Sequence, residues 1–314
     1  MIGPFRRERG RLATLLLAVA PGACAPSASL VELAPVTPVA TGEYHPGQFV
    51  WHDLVTDDPE AAKAFYGALF GWRFEDVDGD LSVYSVIERD GRPIGGIVPI
   101  QDEDPAVASA RWLSLLSVED VDDAISTLER SGGAVEIGPR DNPTRGRMAL
   151  VRDPQGALVV LIRSVGGDPP NREESDVGAG DWLWTELWAE DAASATSFYA
   201  SLVGYSAERP DVEGAHDGYR VLYRDGRPRA GVNEIPWENV RPNWLPYIRV
   251  DDPVAVARRA EELGGSVLIA PSQEVRGGSA ALLMDPTGAA FAIQRWPVAG
   301  ADGSQQSRGL GGVR

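Results

Sequence analysis

Side chains able to do chemistry are sparse in this sequence of 314 residues. It holds three histidines, His45, His52 and His216, one cysteine, Cys24, and one lysine, Lys63. A divalent cation needs three or four converging nitrogen, oxygen or sulfur ligands, and these histidines are scattered. Only His52 sits in a patterned stretch, FVWHDLVTDDPEAAKAFYGALFGW at 49–72, where Asp53 follows it. The stretch returns as WLWTELWAEDAASATSFYASLVGY at 182–205, with Thr185 where the histidine stood and Glu186 where the aspartate stood. Asp53 and Glu186 are therefore the candidate catalytic groups. To act as general bases they need a pKa raised by burial and a substrate proton within reach; otherwise they are buried carboxylates satisfied by backbone amides or by Arg249. Gly-x-Ser-x-Gly, a phosphate loop, paired CxxC and Ser-x-x-Lys are all absent, which leaves nucleophilic and nucleotide chemistry without a foothold.

The elements that must position these residues repeat as well. At offsets close to 133, Trp51 matches Trp184, Asp58 matches Asp191, Phe65-Tyr66 matches Phe198-Tyr199 and Gly71 matches Gly204. RDGRP at 89–93 recurs at 224–228, and Asp153-Pro154-Gln155-Gly156 recurs as Asp285-Pro286-Thr287-Gly288. Such a span means duplication of a whole domain rather than a short solenoid repeat. Asp58 and Asp191 are placed to cap helices whose apolar stripes carry the Phe-Tyr pairs and end at Gly71 and Gly204. Asp90-Gly91 and Asp225-Gly226 signal hairpins between strands. A strand at 111–118 and a helix from Asp120 to Ser131 open a second half-unit, and Asp252-Pro253 opens its partner. Each copy thus reads βαβββ twice. A helix with a single apolar stripe must cover one face of a sheet, which leaves the other face curved around a cavity. The expected fold class is α+β.

The chain ends read differently. Arg6, Arg7, Arg9 and Arg11 precede an apolar run, Leu12 to Ala20, and then Pro21-Gly22-Ala23-Cys24. A run of about nine apolar residues is too short to span a bilayer and suits an export signal. Gly22-Ala23-Cys24 resembles the end of a bacterial lipoprotein signal, with Pro21 where Leu is usual; plain secretion is the alternative. This resemblance implies lipidation of Cys24 and a cell-envelope location. The expected organisation is a signal at 1–23, a flexible tether at 24–43, a first domain at 44–165, a linker at 166–180, a second domain at 181–298 and a disordered tail at 299–314. The formal charge is −17. Removing 1–23, with four Arg and one Glu, would leave −20. That field repels phosphate backbones and anionic headgroups, so nucleic acid is not an expected partner, and a membrane is expected only through a lipid on Cys24.

The capped helix with Phe-Tyr, Leu-x-Gly-Trp or Leu-x-Gly-Tyr, and Asp-Pro-x-Gly before the last strand together resemble the vicinal oxygen chelate superfamily, the glyoxalase, bleomycin-resistance and extradiol-dioxygenase fold. The resemblance covers residues 44–165 and 181–298 and implies two tandem domains, each a pair of βαβββ modules with a curved mixed sheet around a cavity. It also implies where metal-dependent members hold ligands: seven residues before the capping Asp, at the matching place in the second module, and four residues after the Gly of Asp-Pro-x-Gly. Those places hold Trp51, Leu113 and Val160 in the first copy and Trp184, Leu245 and Ala292 in the second. None can bind a cation. His52 is off by one, which on an alternating strand turns its ring to the opposite side. No metal or other cofactor is expected.

By the same alternation the first copy directs Trp51, Asp53 and Val55, Leu113, Leu115 and Ser117, and Leu158, Val160 and Ile162 towards the concave face. The second directs Trp184, Glu186 and Trp188, Leu245, Tyr247 and Arg249, and Ala290, Ala292 and Gln294. Small residues beside aromatics and sparse polar groups suit a small-molecule pocket. The candidate ligand-binding set is Trp184, Glu186, Trp188, Tyr247, Arg249 and Gln294, with Trp51 and Asp53 in the first copy; core packing is the alternative role for the tryptophans. The expected function is metal-free binding of a small, partly aromatic or amphipathic molecule. Two alternatives stand beside it: a metal-dependent lyase or dioxygenase like glyoxalase, and a degenerate scaffold whose acidic surface meets another envelope protein.

Overall fold

The structure, a computed structural model, describes residues 33–77, 84–100, 110–210, 218–235 and 240–296. The expected signal at 1–23, Cys24, His216 and the expected tail at 299–314 lie outside them. The first domain runs β1 (Phe49–Thr56), α1 (Pro59–Phe70), β2 (Arg73–Val77), β3 (Tyr84–Arg89), β4 (Arg92–Pro99), β5 (Arg111–Ser117), α2 (Val121–Arg130), β6 (Ala134–Asn142), β7 (Gly146–Arg152) and β8 (Leu158–Ser164). The second repeats it with β9 (Trp182–Ala189), α3 (Ala192–Val203), β10 (Ser206–Glu208), β11 (Arg220–Arg224), β12 (Arg227–Glu234), β13 (Asn243–Val250), α4 (Pro253–Glu262), β14 (Ser266–Ile269), β15 (Ala280–Met284) and β16 (Ala290–Arg295). Each domain is one eight-stranded mixed sheet, ordered β2-β3-β4-β1-β5-β8-β7-β6 and β10-β11-β12-β9-β13-β16-β15-β14. The expected α+β class and modules hold.

Local chemistry explains these boundaries. Asp58, Asp120, Asp191 and Asp252 each accept backbone N–H bonds from the first turn of the following helix, a cap that stabilises by about 1 kcal/mol. Gly71 and Gly204 end α1 and α3 at φ 71°, in the left-handed region. Asp90 and Asp225 also take left-handed φ values, 52° and 54°, at the tips of the β3–β4 and β11–β12 hairpins.

Each helix covers the sheet of its own domain as expected, and α2 packs on α3 and α1 on α4, so the cores beneath them are shared between the domains. One core joins the α2 side of the first domain, including Leu116, Leu128 and Leu161, to the α3 side of the second, including Leu187, Phe198 and Trp244. The other joins Leu54, Phe65 and Trp112 to Ile248, Leu283 and Phe291. Matched hydrogen bonds tie these shared cores. Tyr66 Oη donates to Asp285 Oδ2 at 3.0 Å across the domains, and Trp112 Nε1 donates to Tyr66 Oη at 2.9 Å. Tyr199 Oη donates to Asp153 Oδ2 at 3.2 Å, and Trp244 Nε1 donates to Tyr199 Oη at 2.8 Å. The other oxygen of each aspartate gathers the amides of its own Asp-Pro-x-Gly turn. Burial lifts both tyrosine pKa values well above the ordinary range, so both remain donors.

The described end of the stretch expected to be a tether is held down. Leu33 and Val36 are buried on the first domain's concave face, and Arg145 Nε donates to Ala34 O. In an Ala/Pro/Thr-rich stretch that also carries the exposed Val39, nothing in the sequence pattern singles out Leu33 and Val36 as anchors.

Candidate functional site

Strand alternation on β1 and β9 sends one carboxylate into the middle of each concave face. Gly96 on β4 and Gly231 on β12 leave room beside it. A Cβ at Gly96 would lie 2.6 Å from Asp53 Oδ1, and one at Gly231 would lie 2.9 Å from Glu186 Cγ. Both approaches are too close for any larger residue. The space is taken by a tyrosine, Tyr84 from β3 or Tyr219 just ahead of β11.

In the first domain Asp53 Oδ1 accepts from Trp51 Nε1 at 2.8 Å and from Tyr84 Oη at 3.0 Å. Its Oδ2 accepts from Arg145 Nη1 at 3.2 Å. Arg145 has no exposed surface, stacks over Trp51 and Tyr84, and gives Nη2 to Tyr84 Oη at 2.7 Å. Burial alone would lower its pKa, but Tyr84 and Asp53 outweigh that and raise it. Around this cluster pack Leu113, Leu115, Val160 and Ile162, with Val55 and Leu158 partly buried against them. Ser117 Oγ turns to Asp168 Oδ2 in the linker at 2.6 Å. Leu33 and Val36 complete the packing.

The second domain repeats the cluster with a longer carboxylate and an extra tyrosine. Glu186 is fully buried; its Oε1 accepts from Tyr219 Oη at 2.9 Å and from Arg276 Nη2, and its Oε2 accepts from Tyr247 Oη at 2.6 Å. Arg276 Nη1 also donates to Gln294 Oε1 at 2.6 Å. Burial opposes the charge on Arg276, but Glu186, Tyr247 and Tyr219 together raise its pKa. Its backbone sits at φ 49°, a left-handed conformation that is costly for a residue with a Cβ and persists where the surroundings fix it.

This arrangement corrects the expectation for Arg249. The partner of Glu186 is Arg276, while Arg249 Nη1 donates to the carbonyl of Val177. Both sheets bring the arginine from the loop before their seventh strand, far along the chain from the carboxylate. Sequence reasoning missed Arg145, Arg276, Tyr84, Tyr219 and Asn233. The Arg-Gly pairs at 145–146 and 276–277 were the available signal, since they recur at nearly the offset of the other matches.

The two faces differ in what remains unpaired. Asn233 on β12 is registered with Trp188, on the same face as Glu186, and is completely buried, yet neither Nδ2 nor Oδ1 has a partner. Gln294 Nε2, Trp184 Nε1 and Arg276 Nε are also buried without one. The equivalent of Asn233 in the first domain is Val98, registered with Val55, and the equivalent of Gln294 is Ile162. Trp184, Trp188, Leu245, Tyr247 and Ala292 form the apolar part of the second face.

Neither face fits a divalent cation. Trp51, Leu113, Val160, Trp184, Leu245 and Ala292 offer no lone pair to a metal, and the carboxylates are engaged by arginine. Among the described residues no three His, Cys, Asp or Glu side chains converge on a metal-sized site. His52 lies off the concave face, with Nδ1 2.9 Å from Ser114 Oγ and its ring 4.5 Å from that of Trp182. Burial pushes its pKa down to about 3.

The family described as the glyoxalase/bleomycin resistance protein/dioxygenase superfamily matches residues 47–161, and a glyoxalase-like domain matches residues 184–294. The protein named "Putative glyoxylase CFP32" from Mycobacterium bovis is 34% identical over 256 residues, covering 80% of this chain and 95% of that protein. The anthracycline biosynthesis protein DnrV of Streptomyces peucetius is 32% identical, covering 80% and 94%. Among solved structures, the Mn(II)-bound glyoxalase from Novosphingobium aromaticivorans superposes with a TM-score of 0.51 at 15% identity, covering 78% of this chain and 80% of its own. Homoprotocatechuate 2,3-dioxygenase from Arthrobacter globiformis gives 0.54 at 12% identity, covering 88% and 90%. With both halves matched and relatives aligned along nearly their whole length, the chain belongs to the glyoxalase/bleomycin resistance protein/dioxygenase superfamily as a tandem two-domain member.

Proposed function

We propose that this chain is an exported, metal-free small-molecule-binding protein of the glyoxalase/bleomycin-resistance type, whose site is the concave face of the second domain. The observation that carries the reading is Asn233. A buried amide with no partner costs about 1–3 kcal/mol, and here it stands beside three other orphaned donors on a face built from indole and phenol rings. Such a cost is retained where a ligand supplies the missing bonds. The ligand class that fits has a flat apolar body and a polar edge offering both donor and acceptor. Glu186 and Arg276 neutralise one another, which favours a molecule without strong net charge at that edge.

The donor set argues against a resident metal, although one relative carries a glyoxylase name and dioxygenases share the fold. The first domain's packed face supports a structural role for that half. Export and lipid anchoring through Cys24 rest on the arginine-rich start and the short apolar run; Cys24→Ser should release the protein from the membrane fraction.

A thermal-shift and native mass spectrometry panel of metabolites and antibiotics tests the binding reading. At least one molecule should bind with 1:1 stoichiometry, unaffected by EDTA and lost in Asn233→Val. Stoichiometric Ni, Zn, Fe or Mn with activity lost to EDTA would contradict it, as would no binder at all.

A further inference from the structure

A second recess lies between the two concave faces, where the start of β1, the start of β9 and the linker meet, and Trp51 and Trp184 line its borders with them. It is a groove of about 680 Å³, within the usual range for small-molecule sites. Its charged lining is Arg92, Arg172, Arg227 and Arg229 against Glu173 and Asp181. Positive charge is therefore in excess here, in a chain whose net charge is −17.

Three of the four cations are spent. Arg92 and Arg172 both pair with Asp181, and Arg227 pairs with Glu173. Arg229 is different. Its Nη1 donates only to neutral amide oxygens, Gln48 Oε1 at 3.1 Å and Asn171 Oδ1, and its buried Nε has no partner. Among the described residues no carboxylate lies within ion-pair distance of it. Burial lowers its pKa, and the neighbouring Arg227 and Arg224 add to that, while Tyr205 and Asp225 offset it only in part. A partly desolvated guanidinium held by two neutral amides has no counter-ion in direct contact, and its planar fork matches a carboxylate. The position is also peculiar to the second copy, where the duplication places Arg229 opposite Ile94 of the first. The surrounding walls are flat and apolar: Phe49, Pro169, Pro170, Trp182 and Trp184.

We propose that this interdomain groove binds a planar aromatic carboxylate, with Arg229 as the carboxylate anchor and the indole and proline faces holding the ring. The groove shares Trp184 with the second domain's concave face, but Glu186, Asn233 and Arg276 do not line it.

Isothermal titration of the full chain with 1-naphthoate and with neutral 1-naphthamide tests it. Naphthoate should bind at least tenfold more tightly than naphthamide, a comparison that needs no variant. Arg229→Gln should weaken naphthoate at least tenfold and leave naphthamide unchanged, while Asn233→Val on the concave face should leave naphthoate binding intact. Equal affinity for the two compounds, no binding of naphthoate at millimolar concentration, or naphthoate binding lost in Asn233→Val would each overturn the proposal.

Discussion

The two concave faces started as copies and now do different things with one cluster. Both place a carboxylate, a tyrosine and an arginine around a glycine on the neighbouring strand. In the first domain every polar group of the trio is answered, Val98 and Ile162 fill the flanks, and Leu33 and Val36 close the front. In the second the trio keeps its ion pair but leaves Arg276 Nε without a partner, and Asn233 and Gln294 replace those aliphatic flanks and are left with unmet hydrogen bonds. The same buried ion pair is thus a structural core on one side and the floor of a binding site on the other. A paired buried charge is weak evidence for function; the orphaned groups beside it distinguish the faces.

The largest expected effect falls on the shared part. Arg145→Met leaves Asp53 buried without its counter-ion and should destabilise the protein by about 3–5 kcal/mol in urea denaturation; Arg145→Met with Asp53→Asn should recover part of that loss. Arg276→Met should cost a similar amount and abolish ligand binding as well. A loss below about 1 kcal/mol for Arg145→Met would show that the first face is open to water and break the comparison. Next come the clasps between domains. Tyr66→Phe and Tyr199→Phe each strand a tryptophan N–H and an aspartate oxygen and should cost about 1–3 kcal/mol. The two values should be close, and markedly unequal costs would show that the shared cores are not equivalent.

Much of this architecture is legible in the sequence because it is periodic. Capping aspartates, Asp-Gly turns and strand alternation are local rules, and duplication states each of them twice. Alternation placed Trp51, Glu186, Tyr247 and Gln294 on concave faces and turned His52 away. The arginines were not legible, because Arg145 and Arg276 reach the carboxylates from loops roughly ninety residues further on, a pairing that sheet curvature creates and no local pattern records. Nor was the pairing of α1 with α4 and α2 with α3 across the domains, since an apolar stripe says that a helix face is covered but not which further element meets it. Asn233 was missed for a related reason: on β12 it reads as an ordinary polar strand residue until burial is known.

His52 and Thr185 occupy matching positions and sharpen the contrast at the outer faces. Burial moves the His52 pKa from 6.5 to about 3, so the folded protein keeps the ring neutral while the unfolded chain takes up a proton below pH 6.5. The stabilisation is present above that pH and is lost as pH falls towards 3, with a slope approaching about 1.4 kcal/mol per pH unit. His52→Thr, which restores the repeat, should flatten the stability curve between pH 6.5 and 5. An unchanged slope would mean that the ring is hydrated.

The smallest expected effect is the most direct test of the central claim, that the second face holds polar groups awaiting a ligand. Asn233→Val gives that face the residue of the first and removes two unpartnered polar atoms. Measured by urea denaturation without ligand, the variant should be more stable than the parent by about 1 kcal/mol. A loss of 1 kcal/mol or more would show that Asn233 is already satisfied within the fold and would contradict the account.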